Sequence, residues 1–271
     1  MLVTEFSTEA VAVPERFTLF EEITAGSHIR TRLRSNERED FRAKVRVLDL
    51  GELQVSALSH PHLEITRTAK VIRQSDPEVY MINYHLGGEG SFSQARSDTA
   101  FHVGDLMVLD SSRPFDAHVH ALQDNWSQLN VQLPHKLLPL PEKTVQRLLA
   151  VPISGRHGMA GVLARWLSDL NARAGEFTPA DIPSLTSVTL DLLASVIARC
   201  LEAEEALSPE ARRRGGSPRA RASSTRNRRS TCAAARWPGS AGPCRSRCSP
   251  RCPTSPRRFC CPAPSALRSG R

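Results

Sequence analysis

The stretch "RRRGGSPRARASSTRNRRSTCAAARWPG", Arg212–Gly239, separates a part of the chain that can fold from a part that cannot. From Arg212 to Arg271 there is no Ile, Val, Met, Tyr, Gln or His. The larger apolar side chains there, cysteine aside, are Trp237, Phe259 and Leu267. So little apolar surface cannot offset the entropy of ordering a backbone, and disorder is expected over 209–271. Any core must come from the preceding residues. At about 210, they are enough for one large domain or a domain with a helical extension.

Charge divides at the same place. The whole chain has 36 Lys+Arg and 28 Asp+Glu, a formal +8. Residues 212–271 hold 16 Arg and no Lys, Asp or Glu, which leaves the body at −8. The basic balance therefore belongs to the tail alone, and the acidic body has no nucleic-acid signature. Six of the 7 cysteines are also in the tail, Cys200 being the one in the body, so a disulfide scaffold is excluded. "MLVTEFSTEAVAV" carries Glu5 and Glu9 and does not read as a signal peptide. No apolar run approaches the roughly 20 residues of a membrane span, so no membrane partner is expected and the cytoplasm is the default.

From Phe41 to about Leu133 the apolar residues alternate over short segments. "FRAKVRVLDL" puts Phe41, Ala43, Val45 and Val47 on one face; Leu48 and Leu50 continue after a one-residue slip. "LQVSAL", "LEITRTA", "VYMINYHL", "FHVGDLMVLD", "AHVHAL" and "SQLNVQL" follow, separated by "SHPH", "SDPE", "GGEG", "SSRP" and "QDNW". Closely spaced strands of this kind predict a sandwich or barrel, with "GGEG" as a hairpin turn. After Pro134 the period becomes helical. "EKTVQRLLAVPI" is a short amphipathic piece, and "GMAGVLARWLSDLNARA" spaces Met159, Val162, Leu163, Trp166, Leu167 and Leu170 as a helix. A last helix starts at a Thr178–Asp181 capping signal with Pro179 at its first position. It carries a wide stripe through Leu185, Val188, Leu192, Leu193, Val196, Ile197 and Leu201. Strands first and helices second make an α+β layout.

"GDLMVLDSSRPF", Gly104–Phe115, resembles the effector-binding half of AraC/XylS-type transcriptional regulators. Gly104, Asp105, Asp110, Ser111, Ser112, Arg113, Pro114 and Phe115 fit that family's Gly-Asp, strand, Asp-Ser/Thr-x-Arg-Pro-aromatic pattern. "TRT" at Thr66–Thr68, "SFSQARSDTAF", "VQLPHKLL" and "ISGRHGMAGVLARWLSDL" agree in order and spacing, over about Phe6 to Arg213. Ala95 stands where Gly or another turn residue is usual. The resemblance implies a cupin-like antiparallel β-barrel over 1–135 that senses a small molecule, and a helical linker and dimerisation region over 136–208. It also implies a DNA-binding domain of two helix-turn-helix units, and there this chain departs: residues 209–271 cannot build one.

Arg, Ala, Pro, Gly, Ser and Cys are what a GC-rich gene yields out of frame, so the tail reads as a frame shift near Arg214. Two other readings compete. One is a selected Arg-rich arm, which would bind phosphates without discrimination. The other is a zinc site on "CRSRCSPRC", which lacks His and a foldable segment between its ligand pairs.

Chemistry in the body is sparse. There is no G-x-S-x-G, P-loop or G-x-G-x-x-G. His60, His62 and Glu64, and His118 with His120, could each place imidazoles on one strand face, as in metal-dependent cupin enzymes. The glycine-flanked spacing of such motifs is missing, so no metal, no cofactor and no enzymatic activity are expected. Effector-binding candidates are Arg67, Tyr80, Asn83, His85, Arg113 and His118, with Arg67, Arg113 and His118 as charges for an acidic effector. Arg113 also reads as a structural residue tying down a turn. Leu185, Val188, Leu192 and Val196 are the candidate homodimer seam. The expected function is the sensing and dimerising part of an AraC-type regulator, without sequence-specific DNA binding. The alternative is a metal-dependent cupin dioxygenase or isomerase.

Overall fold

The computed structural model describes residues 2–206, apart from 96, 123, 124 and 139. The expected disordered tail, with its cysteines and the proposed frame change near Arg214, lies outside the described residues.

In chain order the elements are β1 (Val3–Ser7), α1 (Arg16–Ser27), β2 (Arg32–Arg34), β3 (Lys44–Asp49), β4 (Gln54–His60) and β5 (Leu63–Arg67). Then come α2 (Ala69–Gln74), β6 (Val79–Gly87), β7 (Glu89–Gln94), β8 (Ser97–Phe101), β9 (Asp105–Asp110), β10 (Phe115–His120) and β11 (Trp126–Pro134). The helical half adds α3 (Glu142–Val145), the short β12 (Ile153–Ser154), α4 (Gly158–Ala172) and α5 (Ile182–Ala206). The fold is α+β. A large antiparallel sheet in the order β1-β3-β4-β11-β6-β9-β12 faces a smaller one in the order β2-β5-β10-β7-β8.

Both faces of the large sheet are buried, and each strand divides its side chains between them. On β6, Val79 and Met81 point into the space between the sheets, while Tyr80 and Ile82 point outward to the helices. On β9, Met107 and Leu109 go inward and Leu106 and Val108 outward. The slip at Val47/Leu48 is the same division along β3: Phe41, Ala43 and Val45 belong to the inner core, and Leu48 and Leu50 to the outer one. α4 and α5 cover the outer face, burying Leu163, Leu167, Leu170, Leu193 and Ile197 against Leu129 and Val131. Hydrogen bonds fix this layer: Trp166 Nε1 donates to Thr189 Oγ1 at 3.0 Å, and Thr186 Oγ1 donates to the Leu50 carbonyl at 2.8 Å. Helical and strand halves thus share one core.

α5 begins as its sequence signals. The Asp181 carboxylate accepts from the Thr178 backbone N–H and hydroxyl, each at 2.8 Å, behind Pro179. The backbone bond and then the hydroxyl hold that carboxyl below its usual pKa. An 18-residue window within Pro179–Ala203 has a mean hydropathy of 1.5, long and apolar enough by composition to cross a membrane. Polar residues interrupt it, so it does not stand out in the sequence as an unbroken apolar run. Here the helix packs as a core helix of the domain.

Turns differ from the sequence expectation in one instructive case. "GGEG" is not a hairpin, because β6 and β7 lie in different sheets. The chain crosses there, with Gly88 at φ +82°; a Cβ on it would lie 2.4 Å from the His120 carbonyl oxygen and 2.6 Å from the Trp126 ring. The β7–β8 hairpin turns instead at Ala95, whose φ of +54° is a left-handed conformation that a non-glycine residue adopts at a cost of about 1 kcal/mol. Two helices lie outside the sequence expectation: α1, which buries Phe17 and Phe20 against Phe41, and α2, capped by Thr68.

Candidate functional site

Between the two sheets lies a cavity of about 100 Å³. Its walls are mostly apolar: Leu58, Met81 and Met107 from the large sheet, and Phe92, Phe115 and Ala117 from the small one. Phe20 and Thr24 of α1, with His28, Ile29, Thr31 and Leu33, close one side. Among this apolar surface stands a polar group carried by three strands: Asn83 and His85 on β6, Gln128 and Asn130 on β11, and His60 on β4. Period-two alternation puts all of them on the inner face, one strand beside another. Asn83 and Asn130 are register partners, and Asn130 Nδ2 donates to Asn83 Oδ1.

Several of these groups are buried without a partner. Neither ring nitrogen of His85 has one, nor do Asn130 Oδ1, Gln128 Oε1 and the indole N–H of Trp126. His85, Asn130 and Trp126 are each 2% exposed. Buried polar atoms are normally bonded, since leaving one unpaired costs about 1–3 kcal/mol. Such a concentration on one cavity wall makes it the candidate functional site.

His85 is held by shape. Its ring stacks on Phe101 at 3.9 Å between centroids and 13° between planes. Phe101 fits there because residue 90 is glycine: a Cβ at Gly90 would lie 2.6 Å from its ring. Burial pulls the His85 pKa down from 6.5 to about 4, so the imidazole is neutral near pH 7. His60 is lowered to about 4 for the same reason; its bond to the Pro61 carbonyl opposes the shift and neighbouring His62 adds to it. His28 is also lowered to about 4 by burial, with its ring nitrogens 2.8 Å from Ser27 Oγ and 2.7 Å from Ser56 Oγ.

Of the six effector candidates, the fold brings Asn83 and His85 to the cavity. The other four stand elsewhere. Arg67 is fully buried, and its guanidinium donates to three carbonyls: Ser111 at 2.7 Å, Arg30 at 2.6 Å and Ser75 at 2.8 Å. Tyr80 faces the helical side, where burial, then the charge of Asp110, pushes its pKa up to about 12. Arg113 donates to the buried Asp110 carboxylate at 3.1 Å and lies 3.8 Å from Glu142, the turn-tying arrangement that its sequence context suggests. His118 is exposed, since β10 alternates Phe115, Ala117 and Val119 inward with Asp116, His118 and His120 outward. His118 and His120 therefore face away from the cavity, and His120 stacks on His62 at 4.5 Å. Among the described residues no group of three or more His, Cys, Asp or Glu could hold a metal ion.

Gln128, Asn130 and Trp126 are not among the sequence candidates. "SQLNVQL" does contain the signal, with Gln128, Asn130 and Gln132 on one parity of a strand. Read alone, that parity passes for the solvent side. Of the seam residues on α5, Leu185 and Val196 are buried within the domain, Leu192 is partly buried against the same core, and Val188 is 40% exposed. Leu185 and Val196 thus leave Val188, with the edge of Leu192, as the part of the seam that a partner could reach.

"GDLMVLDSSRPF" forms β9 and its crossing to the small sheet. Gly104 turns with φ +92°, and the Asp110 carboxylate accepts from the Ser112 N–H at 2.9 Å. Ser111 Oγ accepts from the Val79 N–H at 2.9 Å. The stretch that carries the resemblance thus ties one sheet to the other.

Residues 20–198, well over half of the chain, match the AraC-binding-like domain family, and the chain belongs to it. It is 20% identical over 191 residues to an uncharacterised protein in the nit 5′ region of Bacillus sp. (strain OxB-1), covering 70% of this chain and 73% of that one. The solved structure of the AraC-like transcriptional activator CuxR superposes with a TM-score of 0.63 at 17% identity, over 72% of this chain and 70% of that one. That likeness is one of fold. A cupin superfamily protein from Desulfitobacterium hafniense DCB-2 aligns over 37% of this chain and 81% of its own at 12% identity, with a TM-score of 0.28.

Proposed function

We propose that the chain is the small-molecule-sensing part of an AraC-type transcription regulator, acting as a cytoplasmic homodimer and not as an enzyme. The observation that carries the reading is the unpaired polar atoms of His85, Gln128 and Asn130 on the wall of an otherwise apolar cavity. The test is a thermal-unfolding screen of small molecules on the full chain and on Ala117→Leu, which fills the cavity from the small sheet. A molecule at about 100 times its dissociation constant stabilises the wild type by ~2.7 kcal/mol. That is a rise of roughly 5–10 °C for a domain of this size. The rise is expected to vanish in Ala117→Leu. Equal rises in both proteins would overturn the reading.

The helical layer supplies the homodimer through the exposed side of α5 around Val188. In native mass spectrometry Val188→Glu is expected to run as a folded monomer beside a dimeric wild type; a dimeric variant moves the interface elsewhere. The 16 arginines of 212–271 meet DNA phosphates without reading bases. Binding to a promoter fragment and to a scrambled duplex is therefore equal, weak and steeply salt-dependent. A preference of roughly 10³-fold would show a base-reading element in the chain.

The position of His118 and His120 on the outer face of the small sheet, away from the cavity, supports the sensor reading over a metal-dependent enzyme.

A further inference from the structure

The lining of the cavity says what kind of molecule it accepts. Among the described residues, no Lys, Arg, Asp or Glu contributes to the walls. Arg67, the nearest sequence candidate for holding an anion, has its guanidinium spent on three backbone carbonyls. The histidines are buried and neutral near pH 7. A carboxylate entering such a space loses its hydration and finds no cation in exchange.

Hydrogen-bond type narrows the class further. Gln128 Oε1 and Asn130 Oδ1 are acceptors, and a neutral imidazole at His85 offers one acceptor and one donor. The Trp126 indole adds one donor. The side-chain amides of Asn83, Gln128 and Asn130 add N–H donors to these acceptors, so the complementary head group must itself both donate and accept. A carboxylate only accepts; a primary amide donates twice and accepts once. Size sets the last limit. The cavity, about 100 Å³, is of the order of the ~150 Å³ apolar cavity that takes up benzene, so the ligand is a small molecule.

We infer that the cavity takes a compact, uncharged molecule whose polar head both donates and accepts hydrogen bonds, a primary carboxamide or an alcohol on a short branched apolar body, and rejects the matching carboxylate. This rests on the sensor reading above and gives its ligand a chemistry. His85 is the central contact: both of its nitrogens are free for the head group, and its ring plane is fixed by Phe101.

The probes are isobutyramide and isobutyrate, equal in shape and in heavy atoms, titrated at pH 7 into the full chain by ligand-observed NMR. Isobutyramide is expected to bind at least tenfold more tightly than isobutyrate, and Ala117→Leu to abolish its binding. His85→Leu removes two unpaired buried atoms and keeps a side chain against Phe101. Its unfolding midpoint is expected to equal or exceed that of the wild type while amide binding falls at least tenfold; Gln128→Leu should lose binding in the same sense. If isobutyrate binds as well as the amide and Ala117→Leu blocks both, the ligand class is overturned and the sensor reading stands. The ligand class also falls, and the sensor reading survives, if neither probe binds but another screened molecule is blocked by Ala117→Leu. If Ala117→Leu blocks nothing that the wild type binds, the cavity is not the binding site and both readings fall. Undiminished amide binding by a folded His85→Leu would remove His85 from the site.

Discussion

Lowering the pH from 7 to 5 is expected to remove ~4 kcal/mol of folding stability through His60 and His85 alone. In the unfolded chain these histidines take up protons near pH 6.5; in the folded domain burial delays that to about pH 4. Between those values the unfolded state binds more protons, so stability rises with pH and is lost as the pH falls through the window. Each pH unit inside it is worth about 1.4 kcal/mol per group. His28, lowered to about 4 by burial, adds in the same direction. The charges cannot be relieved locally. His60 lies among Phe20, Phe41 and Trp126, with His62 as its titratable neighbour, and His85 lies between Phe101 and Trp126. Urea unfolding at pH 5, 6 and 7 measures the slope. His85→Leu should flatten it by about a third, since His28 and His60 remain, and a stability that does not change over this range would show that the rings are solvated.

The second large effect belongs to Arg67. Arg67→Met is expected to destabilise the domain by ~3–5 kcal/mol, because it strands the buried Ser111 carbonyl and the part-buried carbonyls of Arg30 and Ser75 and removes the cation 3.7 Å from Asp76. Those carbonyls belong to Arg30 before β2, Ser75 after α2 and Ser111 after β9. Arg67 thus joins three segments that are far apart in sequence. Arg67→Lys is not expected to rescue, since a single ammonium lacks the fork that reaches all three. A midpoint of thermal unfolding lower by roughly 10 °C or more in both variants is the predicted outcome. At a temperature where Arg67→Met is still folded, its affinity for a cavity ligand should equal that of the wild type. A selective loss of affinity without loss of stability would return Arg67 to the binding site.

These residues also show where the sequence could be read. Alternation located the strands from Phe41 onward, and the slip at Val47/Leu48 was visible as a break in parity. Its meaning was not, because parity alone does not say that both faces of a sheet are covered. With two buried faces, Asn83 and Tyr80 fall on opposite sides of one strand, though both looked like pocket candidates. Gln128 and Asn130 are on the cavity side, which the alternation of one strand does not distinguish from a solvent side. Arg113 is legible as a turn-tying residue because its partner Asp110 is three residues away, whereas the partners of Arg67 come from loops whose approach is a matter of tertiary structure. The helical half was more legible, since its capping signal and its stripe are local. What the stripe packs against, its own sheet before any partner, is again long-range information.

The large sheet is a partition wall one residue thick. Along β11, Gln128 and Asn130 belong to the room inside, and Leu129 and Val131 to the helical storey outside. Tenants on the two sides can be changed separately, because a pleated strand keeps its parities apart. Drift at Asn83, His85, Gln128 or Asn130 can therefore retune what the inner room admits, generation by generation, while α4 and α5 keep every residue they rest on. A sensor built this way can acquire new chemical tastes without renegotiating the surface through which it reports them.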